Sequence, residues 1–341
     1  MKTKTGARIL GATVLLFCLR PTAGMPIETV PVGHPDNGAD YSGYGAVGYE
    51  YRIGTYEVTA GQYTEFLNAV AACDDHFLYS TEMVRDTHGC GIERTGSPGD
   101  YAYSVAADRA NRPVNQVNWG DAARFANWLH NGCPTGPQDL STTEDGAYLL
   151  NGATTNAALL TVVRQPDWTW SIPSEDEWYK AAYHKNDGVT AHYFDYPCCH
   201  DTAPDNDLID PDPGNHATFR TLRIDVLDDT IGAPHYRTVV GAHENSPSPY
   251  GTFDQGGNVW EWNEELMHQD INRGLRGGAY WVTDIFLRAS TRYGRAPTRH
   301  DADTGFRVCQ IPEPGSIALI ALMSLGLLAR RCDGICTAAS S

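Results

Sequence analysis

Basic residues are scarce in this 341-residue chain: 25 Lys and Arg stand against 42 Asp and Glu, for a net charge of −17. A protein that grips phosphate backbones needs a basic surface, so nucleic acid is excluded as a partner. Charged residues of both signs make up only 20% of the chain, while Gly numbers 34 and Pro 20. That balance points away from a helical bundle and towards a loop-dominated globular fold. The apolar runs Ile9–Leu19 and Ile317–Ala329 both fall short of the roughly 20 residues that span a bilayer as a helix. No internal repeat and no compositional break divides the body, so one large domain is expected. No cysteine occurs between Cys199 and Cys309.

The two ends carry targeting signals. Lys2, Lys4 and Arg8 precede the first apolar run, and Thr22-Ala23-Gly24 offers small residues for cleavage, the order of a secretory signal over residues 1–24. The body is then residues 25–310. At the other end Pro312-Glu313-Pro314, the second apolar run and Arg330-Arg331 follow in order, and an apolar run before a basic pair reads as a membrane segment, short for a full span, with its far end on the cytoplasmic side. This order resembles the PEP-CTERM sorting tail, here residues 311–331, with a short tail at 332–341. The resemblance implies an exosortase-type sorting enzyme as partner and delivery to the cell envelope, the outer surface or the exopolysaccharide. Export permits disulfides. Six cysteines remain in the body, at 73, 90, 133, 198, 199 and 309. Six allow fifteen pairings, so connectivity stays open. Cys73 with Cys90 is the most local pair, and closing that loop would stabilise the fold by roughly 3 kcal/mol.

Within the body, Tyr49, Tyr51 and Ile53 share one parity, a strand broken by a turn or bulge at Gly54. Three helices follow from their start signals. Thr59 with Gln62 and Ser174 with Glu177 are capping boxes. Between them a helix runs from about Trp119 to His130, with Ala122, Phe125, Ala126 and Leu129 on one face and Gly132 as its C-cap. Residues 73–117 and 186–250 read as long polar loops, which in a compact domain are functional or need staples.

The segments YEVTAGQYTEFLNAV, RPVNQVNWGDAARFANWL, WSIPSEDEWYKAAY, YGTFDQGGNVWEW, RGLRGGAYW and LRASTRYGRAPTRHDADTGFRV come in one order. Together they resemble the formylglycine-generating enzyme, or sulfatase-modifying factor, family over most of residues 45–308. The resemblance implies an α+β fold like that of C-type lectins, poor in regular structure, with small antiparallel sheets, a few helices and long loops. It also implies calcium, with Asp254 and Glu261 giving side-chain oxygens and Gly257 and Val259 giving carbonyls. Glycines let carbonyls converge on a hard cation. The other reading of Glu261 is an ion pair with Arg276 or Arg307. A second calcium site around Asn215 and Asp228-Asp229 is a further candidate.

Enzymes of this family oxidise a sulfatase cysteine with oxygen and Cu(I), held by two thiolates a few residues past Arg-Gly-Gly. Soft Cu(I) requires such ligands. On this chain those positions fall at about Val282 and Leu287, which cannot ligate copper. Other ligand sets are thin. Cys198-Cys199-His200-Asp201 is dense in soft ligands but its adjacent cysteines rarely share one metal. His34-Pro35-Asp36 has the spacing of a non-haem iron pair without a third ligand. His300, Asp301 and Asp303 read as a solvated loop. The expectation leans away from an enzyme, towards an exported, non-catalytic binding or structural module whose lectin-like cleft holds a glycan, a peptide or nothing small. The alternative is an oxidoreductase of the formylglycine-generating type, or an iron-dependent cousin using other ligands.

Overall fold

The computed structural model describes residues 26–223 and 226–311. The export segment at 1–24 and the sorting tail beyond Ile311 lie outside these residues. Along the chain come β1 (Thr29–Val32), β2 (Tyr51–Gly54), α1 (Ala60–Val70), β3 (Ile92–Thr95) and β4 (Ala102–Val105). Next are α2 (Trp119–His130), α3 (Asn156–Leu160), β5 (Trp170–Ser171) and α4 (Glu175–Tyr183). The last part is all strand: β6 (Arg220–Arg223), β7 (Val226–Asp229), β8 (Trp260–Met267), β9 (Asn272–Arg276), β10 (Tyr293–Arg295), β11 (Thr304–Gly305) and β12 (Cys309–Gln310).

Two four-stranded sheets, ordered β1-β2-β12-β5 and β10-β9-β8-β11, carry the domain, beside the hairpins β3-β4 and β6-β7. Pairing between these strands is antiparallel except for β11 on β8. This is the expected α+β architecture of small sheets, few helices and long loops. Among the described residues no helix is long and apolar enough to cross a membrane.

The helices start where their local signals place them. In α1 the Thr59 hydroxyl accepts from Gln62 N while Gln62 Oε1 accepts from Thr59 N at 2.9 Å. Ser174 and Glu177 reciprocate in the same way at α4. Each box satisfies donors that a helix leaves unpaired. α2 spans the expected residues, but its C-cap is Asn131 rather than Gly132, which follows with φ +80°. The apolar faces of α1 and α2 meet in an aromatic cluster. Phe125 stands edge-on to Phe66 at 5.3 Å and to Phe306 at 5.4 Å, with Trp128 at 5.7 Å. Such tilted pairs add to the burial of their area. Short α3, capped by Thr155, carries no strong sequence signal.

The Cys73–Cys90 bridge does not form. All six body cysteines are free. Cys90 is buried with its thiol towards the Asn115 carbonyl at 3.8 Å, whereas Cys73 is exposed just past α1. Locality in sequence did not bring the two sulfurs together. The His300 loop is also more ordered than expected. His300 Nε2 lies 3.0 Å from Asp121 Oδ2, the same oxygen that accepts from Asn118 N at the start of α2.

Two predictions follow from these placements. Cys73→Ser should change unfolding stability by no more than about 0.5 kcal/mol under non-reducing conditions; a loss of several kcal/mol would reveal a bridge. Burial opposes charge on His300, but the hydrogen bond and charge of Asp121 outweigh it and raise its pKa. The native state therefore holds this proton more tightly, and the pair's stabilisation is complete below about pH 6.5 and lost as pH rises through the raised value. The stability gap between the parent and His300→Gln should be widest near pH 5.5 and shrink towards about pH 8.5 in denaturant unfolding.

Candidate functional site

The loop Asp254–Glu261 feeds β8, and Arg307 enters it from the segment between β11 and β12. Glu261 and Arg307 are both fully buried. Arg307 Nε donates to Glu261 Oε2 at 2.6 Å and Nη2 donates to Oε1 at 2.7 Å. Trp178 of α4 donates its indole N–H to Oε2 at 2.7 Å. The guanidinium also donates to the carbonyls of Gly54 and Phe253, each at 2.9 Å. A buried ion pair is tolerable only when its remaining polar positions are bonded in this way.

The Arg-Gly-Gly element ends β9. Arg276 is fully buried. It donates Nε to Glu175 at 2.7 Å and Nη1 to the carbonyls of Ala289 and Thr291 at 2.7 and 2.8 Å. Its guanidinium carbon lies 5.0 Å from the Tyr44 ring and 4.9 Å from the Tyr179 ring, a cation–π sandwich. Arg292 shares the same Glu175 carboxylate at 2.6 Å. Arg295 pairs with buried Asp303 at 2.6 Å, and Trp281 donates to that carboxylate at 2.7 Å. Both glycines take φ values only glycine adopts freely, +94° and +78°. A Cβ on Gly277 would stand 2.6 Å from the Gln255 carbonyl, and one on Gly278 would stand 2.7 Å from Leu287 Cδ1. These arginines and glycines are scaffold.

Residues 44–311 match the sulfatase-modifying factor enzyme 1-like domain. The chain belongs to this family. Solved structures of similar fold include Treponema denticola variable protein 1, at 19% identity and TM-score 0.49 over 83% of this chain and 95% of that one. CarF aligns at 19% identity and TM-score 0.46, covering 84% and 99%. PvdO from Pseudomonas aeruginosa aligns at 17% identity and TM-score 0.42, covering 84% and 93%. No curated protein matches the sequence.

In this sulfatase-modifying-factor domain the two expected thiol positions are occupied by hydrocarbon. Leu287 is 0% exposed and packs with Tyr196, Cys198, Ala217 and Phe219. Val282 packs against the main core, and its carbonyl accepts from Arg220 N at 3.0 Å. The residues here do not fit copper. Cys198 and Cys199 do not replace the pair. Their thiols turn to different carbonyls, His216 at 3.5 Å and Pro247 at 3.2 Å. Burial pushes both thiols up, Cys199 to about 11, so neither is a ready thiolate.

The expected calcium donors Asp254, Gly257, Val259 and Glu261 share one loop, but they do not present a free donor set. Glu261 is committed to Arg307 and Trp178. Gly257, at φ +85°, leaves no room for a side chain because a Cβ would stand 2.1 Å from the Thr218 carbonyl. Asp254 Oδ2 accepts from Gly241 N at 2.6 Å, and burial pushes its pKa up to about 6. At the second candidate site, Asp229 is bound by Arg220 at 2.6 and 3.2 Å. His34 and Asp36 are both exposed, at φ +55° and +61°. Among the described residues no three His, Cys, Asp or Glu side chains converge as a metal cluster. A recess of about 550 Å³ lies elsewhere, between α1 and α2, walled by Phe125, Trp128, Leu129 and Trp170.

Sequence reading missed Glu57. It is 2% exposed, and neither carboxylate oxygen has a hydrogen-bond partner. Its only sequence signal was an acid set between Tyr56 and Val58 at the edge of a strand.

Removing Arg307 alone leaves Glu261 buried and uncompensated, so Arg307→Met should cost about 3–5 kcal/mol in denaturant unfolding. Adding Glu261→Gln to that variant should recover part of the loss. Strictly additive losses would contradict the pairing.

Proposed function

We propose that this protein is an exported, non-catalytic binding module of the sulfatase-modifying-factor family. The observation that carries this reading is Leu287, a fully buried leucine pressed against Gly278 where a reactive thiol would stand. Oxygen chemistry at copper needs two thiolates on one face, and the side chains at 282 and 287 supply none. Delivery rests on the basic and apolar order of residues 1–24 and on the Pro-Glu-Pro, apolar and Arg-Arg order of the tail, which suits a sorting enzyme and a cell-envelope or matrix location.

The binding surface lies just outside the scaffold. Trp281, Ile285, Phe286 and Tyr293 are between 37% and 55% exposed and follow the Arg-Gly-Gly element directly. The β6–β7 hairpin adds exposed Leu222, Val226 and Leu227, and Arg220 N ties it to the Val282 carbonyl. Contiguous exposed apolar side chains mark an interaction site. Trp281 is fixed by its bond to Asp303 and Trp260 packs edge-on to Phe286 at 6.0 Å, so the rings are presented rigidly at small entropic cost. Flat, held aromatic faces beside polar groups such as Asp284 and Arg288 suit the apolar faces of sugar rings, which makes a glycan the favoured ligand class and a peptide the alternative.

Binding to a panel of immobilised glycans and peptides tests the reading. Trp281→Ala and Phe286→Ala should each weaken glycan capture at least tenfold, with only a modest fall in melting temperature, larger for Trp281→Ala because it removes a donor to buried Asp303. Equal binding by parent and variants, or no binding by the parent to either class, would overturn it.

A further inference from the structure

Glu57 feels the charge of Arg307 but receives no hydrogen bond from it, because Arg307 gives its donors to Glu261 and to carbonyls. Both Glu57 oxygens are buried with no hydrogen-bond partner among the described residues. Burial opposes the ionisation of this acid, nearby Asp254 and Glu261 add to that, and Arg307 offsets it only in part. A buried carboxylate with no donor either keeps its proton or takes a cation.

Glu57 lines a recess of about 220 Å³. No Lys, Arg or His lines it, whereas a second acid, Glu28, does, beside the neutral polar residues Tyr56, Gln62 and Asn111. Among the described residues no three His, Cys, Asp or Glu side chains converge, so the recess lacks the ligand set of a bare metal ion. An ammonium group asks for less. One carboxylate balances its charge, and neutral oxygens take its remaining N–H donors.

The same recess is walled by Pro26 and Ile27. Backbone pairing brings them there. Thr29 of β1 lies opposite Gly54 of β2, and Thr55 N donates to the Glu28 carbonyl at 2.9 Å. Gln62 Nε2 then donates to the Pro26 carbonyl at 3.4 Å. The start of the described chain is thus held along the wall that contains Glu57. Met25 lies outside the described residues, one residue before Pro26, and neighbouring Cα atoms are about 3.8 Å apart.

We propose that this recess is a site for a primary ammonium group, with Glu57 as its counter-ion. The chain's own source is the α-amino group of Met25, freed by cleavage after Gly24, and for that source the proposal rests on the export reading. The uncut chain offers a neutral amide at this position and the cut chain a cation, so removal of the signal completes the buried pair. Tethering gives the terminus a high effective concentration at the recess. A small free amine carries the same chemistry. The recess is separate from the aromatic surface around Trp281, and failure here leaves the glycan reading standing.

Melting temperatures of the chain begun at Met25 and of the same chain preceded by Gly-Ser test the terminal source. Methylammonium chloride, against equal tetramethylammonium chloride, tests the free one. The form begun at Met25 should melt about 2 °C or more above the extended form, and Glu57→Gln should abolish that gap. Methylammonium should raise the melting temperature of the extended form, while tetramethylammonium, with no N–H to donate, should not. This second comparison needs no variant and serves if Glu57→Gln folds poorly. A response to methylammonium with no gap between the two forms would keep the site and overturn the terminus as its source. Equal melting with no response to methylammonium would overturn the site and leave Glu57 a neutral, protonated acid. A gap that survives Glu57→Gln would overturn Glu57 as the counter-ion. The export reading is checked apart from all of these, by the N-terminal sequence of the secreted chain.

Discussion

The domain is organised around the buried contact between Glu261 and Arg307. Long loops cannot hold a fold by ladder hydrogen bonds, and regular structure here is short. One bidentate ion pair, bonded further to Trp178 and to the carbonyls of Gly54 and Phe253, links α4, β2, β8 and the segment leading to β12. Charges of this kind do not by themselves add much net stability against a hydrophobic alternative. Their consequence is discrimination: any register in which Arg307 misses Glu261 leaves two bare charges in the core.

The same device recurs around the Arg-Gly-Gly element. Glu175 serves both Arg276 and Arg292, and Asp303 serves both Arg295 and Trp281. Gly277 and Gly278 let the backbone pass within contact of Gln255 and Leu287. A site framed this firmly can present side chains rigidly, whatever they are. In this chain the inner positions are filled by packed hydrocarbon and the outer ones carry aromatic rings. The proposed loss of the family's chemistry is compatible with this framework, because one rests on arginine–acid pairs and the other on two thiols.

Elements with local signals were legible in the sequence. The capping boxes at Thr59 and Ser174 need only residues three apart, and α2 declares itself by its apolar period. The arginines of the last segment could be read as partners of acids, and Arg307 with Glu261 was one of two pairings left open. What sequence could not settle was partnership across distance. Arg276 finds Glu175, 101 residues away, and His300 finds Asp121, 179 residues away. Cys73 and Cys90 looked like partners because they are close in the chain, but burial of one and exposure of the other keeps them apart. Glu57 escaped notice because its peculiarity is a missing hydrogen bond, which appears only after its neighbours are in place.

The central proposal is that the family scaffold persists here without the family's oxidation chemistry. Oxygen uptake by the copper-treated full chain, given a cysteine-containing sulfatase peptide, tests it most directly, with the peptide's mass read afterwards. The account predicts no uptake above the protein-free blank and a peptide of unchanged mass. Turnover to the formylglycine product, above all turnover that survives Cys198→Ser with Cys199→Ser, would contradict it.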